Sequence, residues 1–114
     1  MIFPFGWVII QSNARQIRRD YMFTSSANLT FYIPQSTSLK DKRQVRRSLI
    51  EKTRHRFNVS IAEVDTQDYH QTLTIGIAVV SGDDAHRKNS INEIIRFMEA
   101  QADAELTSIE IIEH

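Results

Sequence analysis

Nine residues, Thr72 to Val80, set the strongest limit on the fold: Leu73, Ile75, Ile77 and Val79 alternate with Thr72, Thr74, Gly76 and Ala78. Period-two alternation of this length is the pattern of a β-strand with one buried face. Such a strand needs neighbours on both edges and a layer over its apolar side. Two further alternating runs are available, Leu29, Phe31 and Ile33 ended by Pro34, and Val59 to Val64. Leu106 to Glu113 supplies a fourth strand, with Ile109 and Ile111 placed on its inner face.

The covering layer comes from two segments of helical period. Ser38 is a good N-cap, and Asp41 three residues on suits the positive end of a helix dipole. From Leu39 to Phe57, the residues Leu39, Val45, Leu49, Ile50 and Phe57 project to one broad side, with Arg46 and Thr53 among them. Ser81-Gly82-Asp83-Asp84 then breaks the third strand and caps a second helix. Ile91, Ile94, Ile95 and Met98 carry its i, i+3, i+4, i+7 stripe.

The order is β-α-β-β-α-β. Its expected form is a ferredoxin-like α+β sandwich, a four-stranded antiparallel sheet with both helices on one face. Right-handed crossovers put the first and third strands in the centre. The opposite sheet surface should then show Asn28, Thr30, Tyr32, Val64, Thr72, Thr74 and Ala78.

At 114 residues the chain suits one such domain. The only break in composition falls near Asp20-Tyr21-Met22, dividing an N-terminal extension, 1–21, from a domain of 22–114. Ile2–Ile10 is about half the length of a membrane-spanning helix and is interrupted by Pro4 and Gly6, so no membrane span is expected. Arg15, Arg18 and Arg19 follow that run instead of preceding it, which fits a secretory signal poorly.

Charge is segregated although the total is zero. Residues 1–57 carry 11 Lys and Arg against 3 Asp and Glu, and residues 58–114 carry 3 against 11. Lys40, Arg43, Arg47 and Arg54 fall on one stripe beside the apolar side of the first helix, where their ends could follow a phosphate backbone. Phosphate contact needs charge and reach. The alternatives are a solvated face, an acidic protein partner, or basic and acidic faces that meet within one fold or between two copies.

Catalytic chemistry finds little support. Cysteine is absent, which removes thiol nucleophiles and thiolate metal sites; a reducing cytoplasm is compatible. His55, His70, His86 and His114 are widely spaced with no i, i+4 pair, and no cofactor or metal is expected. Asp65, Asp68 and His70 read as hairpin-turn chemistry. Asp83, Asp84 and His86 read as helix capping. Gly76 fits either a bulge or the close packing of a neighbour. With Tyr32 as the lone aromatic on the two central strands' open face, base stacking there is not expected, and sheet-to-sheet packing of two copies is at least as compatible.

Three segments carry a resemblance: Ser38-Leu39-Lys40-Asp41-Lys42-Arg43, Arg56-Phe57-Asn58-Val59-Ser60-Ile61-Ala62-Glu63, and Ile75-Gly76-Ile77-Ala78-Val79-Val80-Ser81. In that order they resemble the YlxP-like family, small bacterial proteins of unknown function, over roughly Met22 to Glu113. The resemblance implies a ferredoxin-like fold. It also implies a gene neighbourhood shared with translation-initiation and ribosome-maturation factors. Two departures stand out: Tyr69-His70 precedes Gln71 where the family usually has a Trp, and about twenty residues precede the domain. Those residues are either a translated extension or an upstream reading-frame artefact with Met22 as the start. Acylphosphatases share the strand order but depend on an Arg in the loop after the first strand, and Gln35-Ser36-Thr37-Ser38 contains none.

The expectation is thus a cytoplasmic binding protein and not an enzyme. Its partner would be ribosomal RNA or a ribosome-associated protein held by Lys40, Arg43, Arg47 and Arg54, with a homodimer as the further expectation.

Overall fold

The computed structural model describes residues 21–113. The expectations for Met1–Asp20, including the apolar run Ile2–Ile10, lie outside them. Six elements follow in order: β1 (Phe23–Tyr32), α1 (Leu39–Arg56), β2 (Ser60–Glu63), β3 (Thr72–Ser81), α2 (Asp84–Gln101) and β4 (Glu105–Glu113). The strands form one antiparallel sheet in the order β2-β3-β1-β4. The fold is the ferredoxin-like sandwich, with β1 and β3 central. Among the described residues no helix is long and apolar enough to cross a membrane.

Alternation builds the core as the sequence implies. Leu29, Phe31, Leu73, Ile75 and Ile77 from the central strands are buried under Leu49 of α1 and Ile91, Ile94 and Met98 of α2. Phe57, the residue that ends α1, meets the Phe97 ring edge-on at 5.3 Å between centroids. Ser38 caps α1, its hydroxyl accepting from Asp41 N at 3.1 Å, and Asp83 caps α2 by accepting from His86 N at 2.9 Å.

Four details differ from what the sequence implies. β1 begins at Phe23, five residues before Asn28, and pairs with β3 from Phe23↔Ser81 onward. After Phe23 the first inward positions of the strand hold small residues, Ser25 and Ala27, so large apolar alternation does not reach back to its start. Arg87 of α2, itself buried, fastens them by donating to Thr24 O at 3.0 Å. Leu39 is 37% exposed instead of packed. It sits at the free end of α1, about 60° around the helix from the buried position 42. Ile109 and Ile111 do pair with Leu29 and Ala27 and share their face, yet they are 47% and 45% exposed. The cause is lateral placement: α2 packs over β1 and β3, leaving the β4 side of the layer bare.

On the opposite surface Thr74 is buried and not displayed. Its neighbours crowd it, with Thr30 Oγ1 at 3.3 Å from Thr74 Oγ1 and Thr66 Oγ1 accepting from Thr74 N at 2.8 Å. Gly76 answers the same crowding, because a Cβ there would lie 3.3 Å from both Asn28 Oδ1 and Val64 Cγ1. Close packing of neighbours, and not a bulge in β3, explains that glycine.

Candidate binding face of the first helix

Helix α1 carries two sets of cations with different surroundings. Lys40, Arg43, Arg47 and Arg54 are all exposed. Lys40, Arg43 and Arg47 line one shallow concavity with Gln44. Arg47 and Arg54 line a second groove of about 420 Å³ between α1 and β2, together with Arg46, Ile50, Glu51, Ile61, Ala62, Glu63 and Gln67. Arg47 therefore borders both hollows. Arg54 is partly committed, donating from Nη2 to Ile61 O at 3.2 Å on the sheet edge. The predicted stripe is one exposed face, with Glu51 as an acidic member of its second groove.

The other set points inward. Lys42, which the sequence reading passed over, is 1% exposed. Its Nζ lies 2.7 Å from Glu63 Oε2 and donates to Tyr69 O at 2.7 Å and to Thr66 O. Arg46 completes the cluster through Nη1, 3.0 Å from Glu63 Oε1. An ammonium removed from water needs charge compensation and acceptors for its donors, and this arrangement supplies a carboxylate in ion-pair contact and hydrogen bonds to two carbonyls.

The signal for this cluster was in the spacing. Lys42 stands seven residues before Leu49 and eleven before Thr53, both buried, so it occupies the inward stripe of α1. Glu63 stands two residues after buried Ile61 and so faces the same layer. A cation and an anion at inward positions of adjacent elements are a buried pair waiting to be read.

The cluster also shapes the loop between β2 and β3. Asp65 adopts a left-handed backbone with φ 67°, a conformation that Asp tolerates better than most residues. Thr66 N donates to Val64 O at 2.7 Å and Tyr69 N to Thr66 O at 3.1 Å. Turn chemistry thus accounts for Asp65, and Lys42 ties the turn to the helix. Among the described residues no group of three His, Asp or Glu side chains could hold a metal ion. His86 Nδ1 lies 3.2 Å from Ser81 Oγ, beside the α2 cap.

At the start of α1, Asp41 Oδ2 accepts from Thr37 N at 2.9 Å and from Thr37 Oγ1 at 2.8 Å. The Thr37 backbone bond first, then the Thr37 hydroxyl, holds the Asp41 carboxyl below its ordinary value of 3.8. This carboxylate is anchored to the loop by Thr37, with a smaller Coulombic attraction from Lys40.

Strand order and helix placement define a small ferredoxin-like α+β domain with an internally braced basic helix. The family model described as "Protein of unknown function (DUF503)" matches residues 24–111, and the chain belongs to that family. The chain is 33% identical over 70 residues to the uncharacterized protein YlxP of Bacillus subtilis (strain 168), covering 61% of this chain and 76% of that protein. Among solved structures it is similar to the de novo designed protein Ferredog-Diesel, at 11% identity and a TM-score of 0.38, over 92% of this chain and 94% of the other.

Proposed function

We propose that this protein is a cytoplasmic RNA-binding protein that associates with ribosomal RNA or a ribosome-assembly intermediate through the outward face of α1. The observation that carries the reading is the division of α1 cations. Lys42 and Arg46 are engaged internally, sharing Glu63, whereas Lys40, Arg43, Arg47 and Arg54 stand exposed along one face. Apart from Arg54, whose Nη2 also donates to Ile61 O, these cations meet phosphates without first being withdrawn from a hydrogen-bonded internal partner. The translation setting rests on the gene neighbourhood implied by the YlxP-like resemblance.

The test is RNA binding over a series of salt concentrations. Four single-stranded phosphate contacts give a log–log slope of about −3. Arg43→Glu/Arg47→Glu should abolish binding while leaving the circular dichroism spectrum and unfolding midpoint unchanged. Equal RNA affinity in that double variant removes the proposal. Co-sedimentation of the endogenous protein with ribosomal subunits, lost in the same variant, is the expected cellular result.

A further inference from the structure

The two edges of the sheet are finished differently. β2 spans four residues, and its outer surroundings are occupied by the Lys42–Glu63–Arg46 cluster and by Arg54 on Ile61 O. β4 spans nine residues, an edge of about 30 Å. Among the described residues no strand lies beyond it. Short strands, charged cover and bulges are the usual devices that keep sheet edges from pairing. β4 has a bulge only near its start, opposite Thr30/Phe31.

β4 also displays apolar side chains on both faces. Ile109 and Ile111 stand on the helix side, and Ile112, opposite Ser26, stands on the other at 39% exposure. These three isoleucines lie within four consecutive residues, in a chain whose isoleucines at 33, 61, 75, 77, 91, 94 and 95 are buried.

We propose that β4 is a dimerisation edge, on which a second copy of this chain pairs its own β4 antiparallel across a two-fold axis to give a continuous eight-stranded sheet. Self-complementarity favours a second copy. With Ile109 on the axis, Glu110 stands opposite Ser108 of the other copy and Ile111 opposite Thr107. The one pair of like charges in this register, Glu105 with Glu113, falls at the two outer ends of the ladder, and the backbone groups of both edges are satisfied. A register centred on Glu110 sets carboxylate against carboxylate and is disfavoured. Edge pairing with the isoleucine contacts buries roughly 1,000 Å² in total, the lower limit for a specific interface, so a micromolar monomer–dimer equilibrium is expected.

The charge sign separates this interface from one in which the basic and acidic halves of two copies attract. Glu105, Glu110 and Glu113 lie along β4, so added salt should leave the dimer unchanged or tighten it. It is independent of the RNA reading, since the cations of α1 are not used.

Sedimentation velocity on the full chain, across concentration and at low and high salt, is the first test. Because the chain has no cysteine, single substitutions give a clean second one. Ile109→Cys, on the axis, should crosslink with a short bis-maleimide at least tenfold faster than Leu39→Cys at the exposed start of α1, with Ile111→Cys, four residues from its counterpart along the ladder, in between. Ile109→Lys/Ile111→Lys should shift the equilibrium at least tenfold toward monomer. Four results would overturn the proposal: a monomer at every concentration, equal crosslinking at all three positions, a dimer that dissociates as salt rises, or a monomer whose outward-pointing β4 amides, those not bonded to β1, are protected from hydrogen exchange. The last would mean that another part of the same chain covers the edge.

Discussion

The β2 and β4 edges of one sheet solve the same problem with opposite materials. β2 is the shorter strand and pairs with β3 through only Ser60↔Ala78 to Glu63↔Ile75. Apolar burial there is small, with Ile61 as its only fully packed large side chain. What holds α1 over it is ionic: Glu63 is shared by Lys42 and Arg46, and Lys42 reaches past it to the loop carbonyls. β4, more than twice as long, is secured to β1 from Ser25↔Glu113 to Tyr32↔Glu105 and has isoleucines to spare. A short strand can thus be fixed by a few directional bonds, whereas a long one is fixed by its ladder and leaves side chains available.

Breaking the ionic side should have the largest effect. Lys42→Ala leaves Glu63 buried with Arg46 alone and the carbonyls of Thr66 and Tyr69 without their shared donor. A loss of about 3–5 kcal/mol is expected from urea denaturation. Replacing the pair together, Lys42→Met with Glu63→Leu, removes the uncompensated charge and should recover most of that loss. If Lys42→Ala cost under about 1 kcal/mol, the ions would not be what holds β2.

The apolar side of the comparison is sharpened by two equal truncations. Ile61→Ala empties a packed position, 4% exposed, and should cost about 2–5 kcal/mol. Ile109→Ala removes the same atoms from a half-exposed one and should cost about 1 kcal/mol or less when measured at concentrations where the chain is monomeric. Similar losses at the two positions would show that β4 is covered in solution.

These differences mark how far the sequence could be read. The element order and the central strands followed from periodicity, because Leu73 to Val79 and Ile91 to Met98 place large apolar groups at every inward position. β1 looks short in the sequence because its inward residues Ser25 and Ala27 are small. Lys42 is masked because a charged residue in a basic run looks like part of the solvated face, although its spacing from Leu49 and Thr53 places it inward. Segregation of charge between the halves proved partly internal, since Lys42 and Arg46 meet Glu63 across the division. The exposure of Ile109 and Ile111 was not legible at all. Inward alternation specifies a face but not whether a helix lies over it, and that depends on where α2 settles across the sheet.

Smaller effects refine the β2 side, where the entry to α1 sets the position of Lys42 one turn later. Ser38→Ala removes the cap from Asp41 N and should cost about 1 kcal/mol. Ser38→Asp, which restores an acceptor, should recover most of it. Equal stability of Ser38→Ala and the parent would indicate that the ion cluster alone positions the helix.

The smallest expected effect is one of pH. Asp41 has a folded-state pKa below 3.8 because Thr37 donates to its ionised form from both backbone and hydroxyl. A depressed carboxyl binds fewer protons in the folded than in the unfolded chain, so its contribution is present above the unfolded pKa and is lost as pH falls through the folded one. The stability difference between the parent and Asp41→Asn should therefore be flat from neutral pH down to about pH 5 and shrink below it. Thr37→Val, which deletes the hydroxyl but keeps the backbone N–H, should move the Asp41 titration upward part of the way, as followed by carboxyl NMR shifts. The backbone bond is the larger cause, so part of the depression should survive. A titration restored to the ordinary value by Thr37→Val would instead make the hydroxyl the anchor, and would place the rigidity of this helix start in a side chain and not in the loop.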